Sequence, residues 1–440
     1  MLRFSELNIT MVFILTILTM NFAFGNWFMQ LAPLGVPINE MLCLLLAVRW
    51  FEKLLILGKK RFLITLILFW SFYSLIIMLP LGLVKHGIDA GRDATGQIDI
   101  LILPIMATVV LLQNKGLKSS QFDRFLIFAL VLEFCDRTIL GPFFGSSDPT
   151  KLNASVFGGT IGSQIIVFLS LWYGIASISK NKIYIPILLI LLSCSLILLL
   201  QNRFLYFGFF SGIMTLMFTW GGFVKKIPVY GCVIAVGFIF VQQLSGYLLQ
   251  FVPDAGRLMK YASAGISVDA IGAHLATSFG ADNEVFSGAG GGLLQRLGWW
   301  TSIMQSAINN ANIMFLGQGF GVPLTSDYAA KVIREPHNSY MSVFARGGII
   351  YFFIWFLIQA LIIFKLRRAY FFFRGLCANS ADFKFYRDIS LAVHLLGVTV
   401  LITALVEPAF ELPPYAMGYY ALSGMIMGLY WKTSNAYTPR

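Results

Sequence analysis

His337 stands in the run Arg334-Glu335-Pro336-His337-Asn338-Ser339-Tyr340, at the head of a long apolar stretch. Pro336 fixes the backbone just before that stretch, so the imidazole sits near a helix N-terminus at a membrane surface. A histidine there either holds structure or takes a proton from a reacting hydroxyl. Arginines supply the second kind of chemistry. Arg203 interrupts two apolar runs in Gln201-Asn202-Arg203-Phe204, and Arg296 leads the cluster Arg296-Leu297-Gly298-Trp299-Trp300. Each reads either as an interfacial anchor or as a planar, permanently charged fork for phosphate oxygens. The turn Gly317-Gln318-Gly319-Phe320-Gly321 either bends the chain tightly or lets backbone amides approach a ligand. Arg257, Lys260 and Arg334 are solvated loop charges or the lining of a sugar or phosphate path. Glu407 and Glu411, on either side of Pro408, end helices or orient His337 or an arginine. His86, His274 and His394 have no supporting pattern and read as structural.

Soluble-enzyme signatures are missing: there is no phosphate-binding loop ending in Gly-Lys-Ser/Thr, no His-Glu-x-x-His, no Gly-x-Ser-x-Gly and no dinucleotide-binding glycine pattern. Of five cysteines, Cys43, Cys135, Cys194 and Cys232 lie in apolar runs and Cys377 in a basic segment, with neither metal-site nor disulfide spacing. No metal or cofactor is expected.

The elements that must position these residues are membrane helices. The chain is 58% hydrophobic and only 12% charged, and apolar stretches of roughly 17–25 residues, long enough for ~30 Å of hydrocarbon, recur throughout. The reading is a single integral membrane domain over 1–440, all-α, with about twelve transmembrane helices near 8–24, 36–52, 62–83, 98–113, 122–140, 160–178, 183–200, 204–222, 228–250, 338–364, 388–406 and 412–431. The N-terminal run reads as a retained first helix rather than a cleaved signal, because Glu6 interrupts its basic region. Twenty-one of the 32 basic residues fall in alternate loops and at the termini, which places those loops, the basic 365–387 loop and both termini in the cytoplasm. The opposite, periplasmic face owns one long loop, 251–337, with a helix expected near 293–312. Lysines and arginines gather between apolar runs, so the net charge of +12 is a topology signal and no nucleic-acid partner is expected.

An arginine shortly before a tryptophan, an apolar helix, a Gly-x-Gly-Phe-Gly turn, then His337-Asn338 and a glycine about ten residues on resemble the core of the O-antigen polymerase and ligase superfamily, known as Wzy and WaaL. The resemblance covers roughly 293–355. Arg203, at the outer start of a helix, matches the family's upstream arginine, although Asn202 and Phe204 depart from its serine-rich context. The resemblance implies a GT-C-like, metal-independent, inverting glycosyltransferase of the bacterial inner membrane, active on the periplasmic face with undecaprenyl-diphosphate-linked oligosaccharide as donor. Arg203 and Arg296 would hold the diphosphate and His337 would activate or orient the acceptor hydroxyl. Arg257, Arg334, Asn338, Glu407 and Glu411 would form a second shell or line the substrate path. The first expectation is a polysaccharide polymerase that transfers the glycan onto a lipid-linked repeat unit, with membrane lipid and a chain-length regulator as partners. The near alternative is a ligase that delivers the glycan to lipid A-core. A twelve-span transporter is the distant one, and it would require matching halves with charges near the midplane.

Overall fold

A computed structural model describes residues 38–113, 118–136, 162–178, 183–200, 203–219, 293–324, 336–378, 380–411 and 413–437. Among these residues every regular element is helical and none is a strand. Four helical segments are long and apolar enough to cross a membrane: Phe62–His86, Ile88–Leu112, Ser339–Leu376 and Ala381–Thr403. Over the described residues the protein is an all-α membrane protein. The apolar runs expected at 8–24 and 228–250, and loop residues 251–292 and 325–335, lie outside the described residues.

The first described helices, α1 (Ile38–Arg49) and α2 (Phe51–Lys60), divide the run expected at 36–52 and carry it onward into the basic corner at Arg61. Next, α3 (Phe62–Phe72) widens through a π-helical turn at Tyr73–Met78 into α4 (Leu79–His86). The cause is Pro80, near the start of α4: its ring crowds the carbonyl four residues back and offers no amide hydrogen, so the preceding turn opens.

The next apolar segment is broken into α5 (Ile88–Asp93), α6 (Thr95–Asp99) and α7 (Ile102–Leu112). It begins about ten residues earlier than the run at 98–113 suggests, because polar Asp93, Gln97 and Asp99 are accommodated inside the protein rather than in lipid. Its most apolar window is 82% buried, as against 39% for Phe62–His86, so α5–α7 form an inner layer. Then follow α8 (Ser119–Cys135), α9 (Gly162–Ser177), α10 (Tyr184–Leu200) and α11 (Arg203–Thr219). After the long loop come α12 (Leu293–Asn309) and the short α13 (Ala311–Leu316).

The C-terminal third is α14 (Ser339–Leu376), α15 (Ala381–Thr403) and α16 (Pro413–Tyr437). Here α14 packs on α15, α15 on α9 and α11, and α16 on α7, so the bundle centre mixes early and late helices. The basic segment expected as a loop at 365–387 is instead mostly helix. No breaker intervenes after Phe364, lysine and arginine are good helix formers, and α14 runs on to Leu376 before a short turn reaches the Ser380 cap of α15. Gly348, at φ 72° and ψ −173°, interrupts α14. From Ile349 the helix runs on to Leu376, about 42 Å at 1.5 Å per residue. The break at Gly348 makes Ser339–Gly347 a separate stub before it.

Candidate functional site

The corner where this stub begins is built from short-range chemistry. Asn338 is the N-cap of α14, and its side chain accepts a hydrogen bond from the Met341 amide at 3.1 Å. Ser339 is fully buried. Its amide donates to the Ala404 carbonyl (2.9 Å), its hydroxyl donates to Glu411 Oε2 (2.5 Å), and that hydroxyl accepts from the Phe410 amide (3.1 Å). The head of α14 is thus tied to the turn between α15 and α16, where Glu407 and Glu411 reside.

On the other side lies α12. Arg296, Trp299 and Trp300 are spaced i, i+3 and i+4 and share one helical face. The Trp300 indole donates to the Pro336 carbonyl at 2.8 Å. Trp299, 2% exposed, stacks on the His337 ring with centroids 6.1 Å apart. Arg296 donates through Nη1 to the Val406 carbonyl, the residue before Glu407. Held from both sides, His337 adopts φ 49°, the left-handed region that a non-glycine residue occupies at a cost. Its Nδ1 faces Glu407 Oε2 at 3.6 Å, slightly beyond hydrogen-bond length. The His337 side chain keeps 37% of its surface exposed, so the ring is oriented by protein on one side and accessible on the other.

The structure therefore brings together His337, Asn338, Arg296, Glu407 and Glu411. Arg203 is the first residue of α11, and the position of its side chain is not described. Arg257, Lys260 and Arg334 lie outside the described residues. Of the two acids, Glu407 is the one at the imidazole, whereas Glu411 holds Ser339.

The glycine turn has a different job from presenting amides to a ligand. The break at Gly348 releases the Ala345 and Arg346 carbonyls from the helical ladder, and the amides of Gln318 and Gly319 donate to them at 2.7 and 2.9 Å. Gly317 and Gly348 both have positive φ, and a Cβ on either would lie 2.3 Å from a backbone oxygen of the other segment. Both must be glycine for the turn and the kink to nest.

Beside this nest is a pair that sequence reasoning missed. Arg346 Nη2 lies 2.9 Å from Asp93 Oδ2, with the two side chains only 6% and 9% exposed. Arg346 also donates to the carbonyls of Gly319 and Val322, and the Gly321 amide donates to Asp93 at 2.6 Å. The available signal was a lone arginine inside an apolar run, which is costly in a membrane unless paired. Its partner, far away in sequence, could not be inferred from spacing. Among the described residues, no three or more His, Cys, Asp or Glu side chains gather as a metal site.

Fold and site together define an all-α membrane protein with an oriented, accessible histidine at one end of its helices. No protein-family model matches the chain, and no curated protein matches it.

Proposed function

We propose that the protein is a glycosyltransferase that extends a polysaccharide from a lipid-diphosphate-linked donor, as an O-antigen-type polymerase does. The observation that carries this reading is the His337–Glu407 pair at 3.6 Å, with the His337 ring stacked on Trp299 and Arg296 one turn away on the same helix. Glu407 at Nδ1 leaves Nε2 to take a proton. In the reaction, the acceptor hydroxyl oxygen attacks the anomeric carbon of the donor and His337 accepts its proton. The bond from that carbon to the phosphate oxygen breaks, and the lipid diphosphate leaves with the electron pair. Attack opposite the leaving group inverts the anomeric centre, and no metal is required.

Charge grows on the diphosphate as it departs, so guanidinium groups from Arg296 and Arg203 stabilise the transition state more than the ground state. The bond from Arg296 Nη1 to the Val406 carbonyl holds the guanidinium in place beside Glu407. The proposed architecture is GT-C-like, as the resemblance implies, with about twelve spans in the inner membrane; the alternation of basic loops supports both termini being cytoplasmic and 251–337 periplasmic. A ligase would use the same site and differ only in its acceptor, lipid A-core.

His337→Ala tests the reading. The imidazole is half-exposed and contributes little packing, so membrane expression and thermal unfolding stay close to wild type. Transfer from a lipid-linked glycan falls about 10²–10⁴-fold, the usual contribution of acid–base help. Wild-type turnover by a well-folded His337→Ala protein would reduce the histidine to a structural residue and remove the proposal's support.

A further inference from the structure

Three cations from distant parts of the chain meet where α14 leaves its apolar run, at the end of that helix away from His337. Lys365 and Arg368 are spaced i and i+3 on α14 and share one face. Arg61 stands at the corner between α2 and α3, and α3 packs on α14. The charges of Arg368 and Arg61 both reach Lys365 and oppose its own. Like charges so placed repel. Among the described residues no carboxylate pairs with Arg61, Lys365 or Arg368 to offset that repulsion. Asp388, near the start of α15 at the same end, is taken by Arg387 at 2.5 Å.

Basic residues outside a span are ordinarily a topology signal and need no partner but water. Two features set this group apart. Arg61 is held in place: its Nη2 donates to Asn435 Oδ1 at 3.3 Å, and its guanidinium lies over the Trp431 ring at 5.1 Å from the centroid. The end of α16 thus fixes a fork of five N–H donors and uses one nitrogen of it. Charge also gives way to apolar surface within one residue. Phe62 follows Arg61 and Phe364 precedes Lys365, and the two side chains are 67% and 58% exposed.

Charge complementarity calls for an anion here, and the exposed rings call for hydrocarbon. A phospholipid supplies both: its phosphate oxygens accept from guanidinium and ammonium groups, and its acyl chains cover the rings. Basic pockets between membrane helices hold anionic headgroups by the same balance.

We propose that Arg61, Lys365 and Arg368 together bind the phosphate of an anionic phospholipid whose acyl chains lie along Phe62 and Phe364. The lipid offsets the repulsion and ties the α2–α3 corner to α14, so its binding stabilises the folded protein. This site is separate from the glycan-transfer corner and does not depend on that reading.

The test is native mass spectrometry of the full-length protein in a neutral detergent, titrated with phosphatidylglycerol or with zwitterionic phosphatidylcholine of the same chains. Wild type is expected to bind phosphatidylglycerol at least tenfold more tightly. Lys365→Gln and Arg368→Gln should each weaken that binding about fivefold, the usual share of one cation at a membrane surface, with lipid-free thermal midpoints unchanged. Arg61→Gln should weaken it similarly. Arg367→Gln is the internal comparison, because Arg367 is on the same helix at the same level but lies over Phe371 at 5.7 Å; it should change binding less than twofold.

An equal loss in Arg367→Gln would mean that net positive charge alone attracts the lipid, and it would overturn the site. So would equal affinity for the two lipids, or phosphatidylglycerol binding that survives in both Lys365→Gln and Arg368→Gln. Inorganic phosphate provides the last arm. If it raises the wild-type thermal midpoint as much as phosphatidylglycerol does, the cations take any phosphate and the lipid assignment fails.

Discussion

The long helix α14 is disturbed at two places about ten residues apart, and they are built to different rules. At Gly348 the break is bonded across: the Ala345 and Arg346 carbonyls accept from Gln318 and Gly319, and Arg346 pairs with Asp93 in a buried setting. At His337 the hydrogen bonds go to the neighbours instead. Pro336 accepts from Trp300, Asn338 caps the helix and Ser339 is bonded to Ala404, Phe410 and Glu411, while the His337 Nδ1 faces Glu407 at 3.6 Å with no hydrogen bond made. The first disturbance is a fastening. The second uses its surroundings to hold one side chain in a strained backbone conformation and leave it reachable, which is the pattern expected where strain serves chemistry.

The largest expected effect tests the fastening. Breaking a buried pair by removing one partner typically costs about 3–5 kcal/mol, because the remaining charge is left uncompensated, whereas an apolar replacement of both is often close to neutral. Arg346→Met or Asp93→Leu alone should therefore lower the thermal midpoint in detergent sharply. The Arg346→Met/Asp93→Leu double variant should recover much of the loss. Single variants as stable as wild type would show that the pair does not fasten the glycine turn, and the contrast between the two breaks would collapse.

A smaller effect, on activity rather than stability, sharpens the other side. Glu407 is a positioning residue, so Glu407→Gln should leave unfolding nearly unchanged and reduce transfer about 10- to 100-fold, the usual loss when an orienting partner of an imidazole is removed. Glu407→Asp keeps the carboxylate and should recover part of that activity. A purely structural Glu407 predicts otherwise: activity would follow stability in both variants, and the glutamine, nearly isosteric, would be the milder change.

The same contrast explains what the sequence could reveal. The helix entry at Pro336 and His337 was readable because a proline and a helix start act within a few residues of one another, whereas the capping role of Asn338 was not read from the sequence. The proximity of Glu407 was readable only as one option among several, since Glu407 and Glu411 sit four residues apart and differ by which of them the turn aims at His337. The Arg346–Asp93 pair was not readable, because it joins segments whose adjacency depends on how helices stack. The basic stretch after Phe364 misled in a specific way: charge marks where the apolar run ends but not where the helix ends, since lysine and arginine favour helix and α14 runs on to Leu376.

The smallest effect concerns Asn338, which the resemblance places among residues near the substrate and which the structure shows capping α14 through Met341 at 3.1 Å. An N-cap lost to alanine typically costs about 1 kcal/mol. Because Ser339 is independently bonded to Ala404, Phe410 and Glu411, the stub should keep its place even when its first turn frays. Asn338→Ala is therefore expected to lower the unfolding midpoint slightly and to reduce transfer by no more than about threefold. Asn338→Asp, whose carboxylate caps equally well and favours the positive helix end, should restore stability. The two substitutions separate capping from substrate contact. If aspartate restores the midpoint while transfer stays depressed by an order of magnitude or more, then the amide of Asn338 touches the glycan, and the accessible region at this corner extends one residue beyond the histidine.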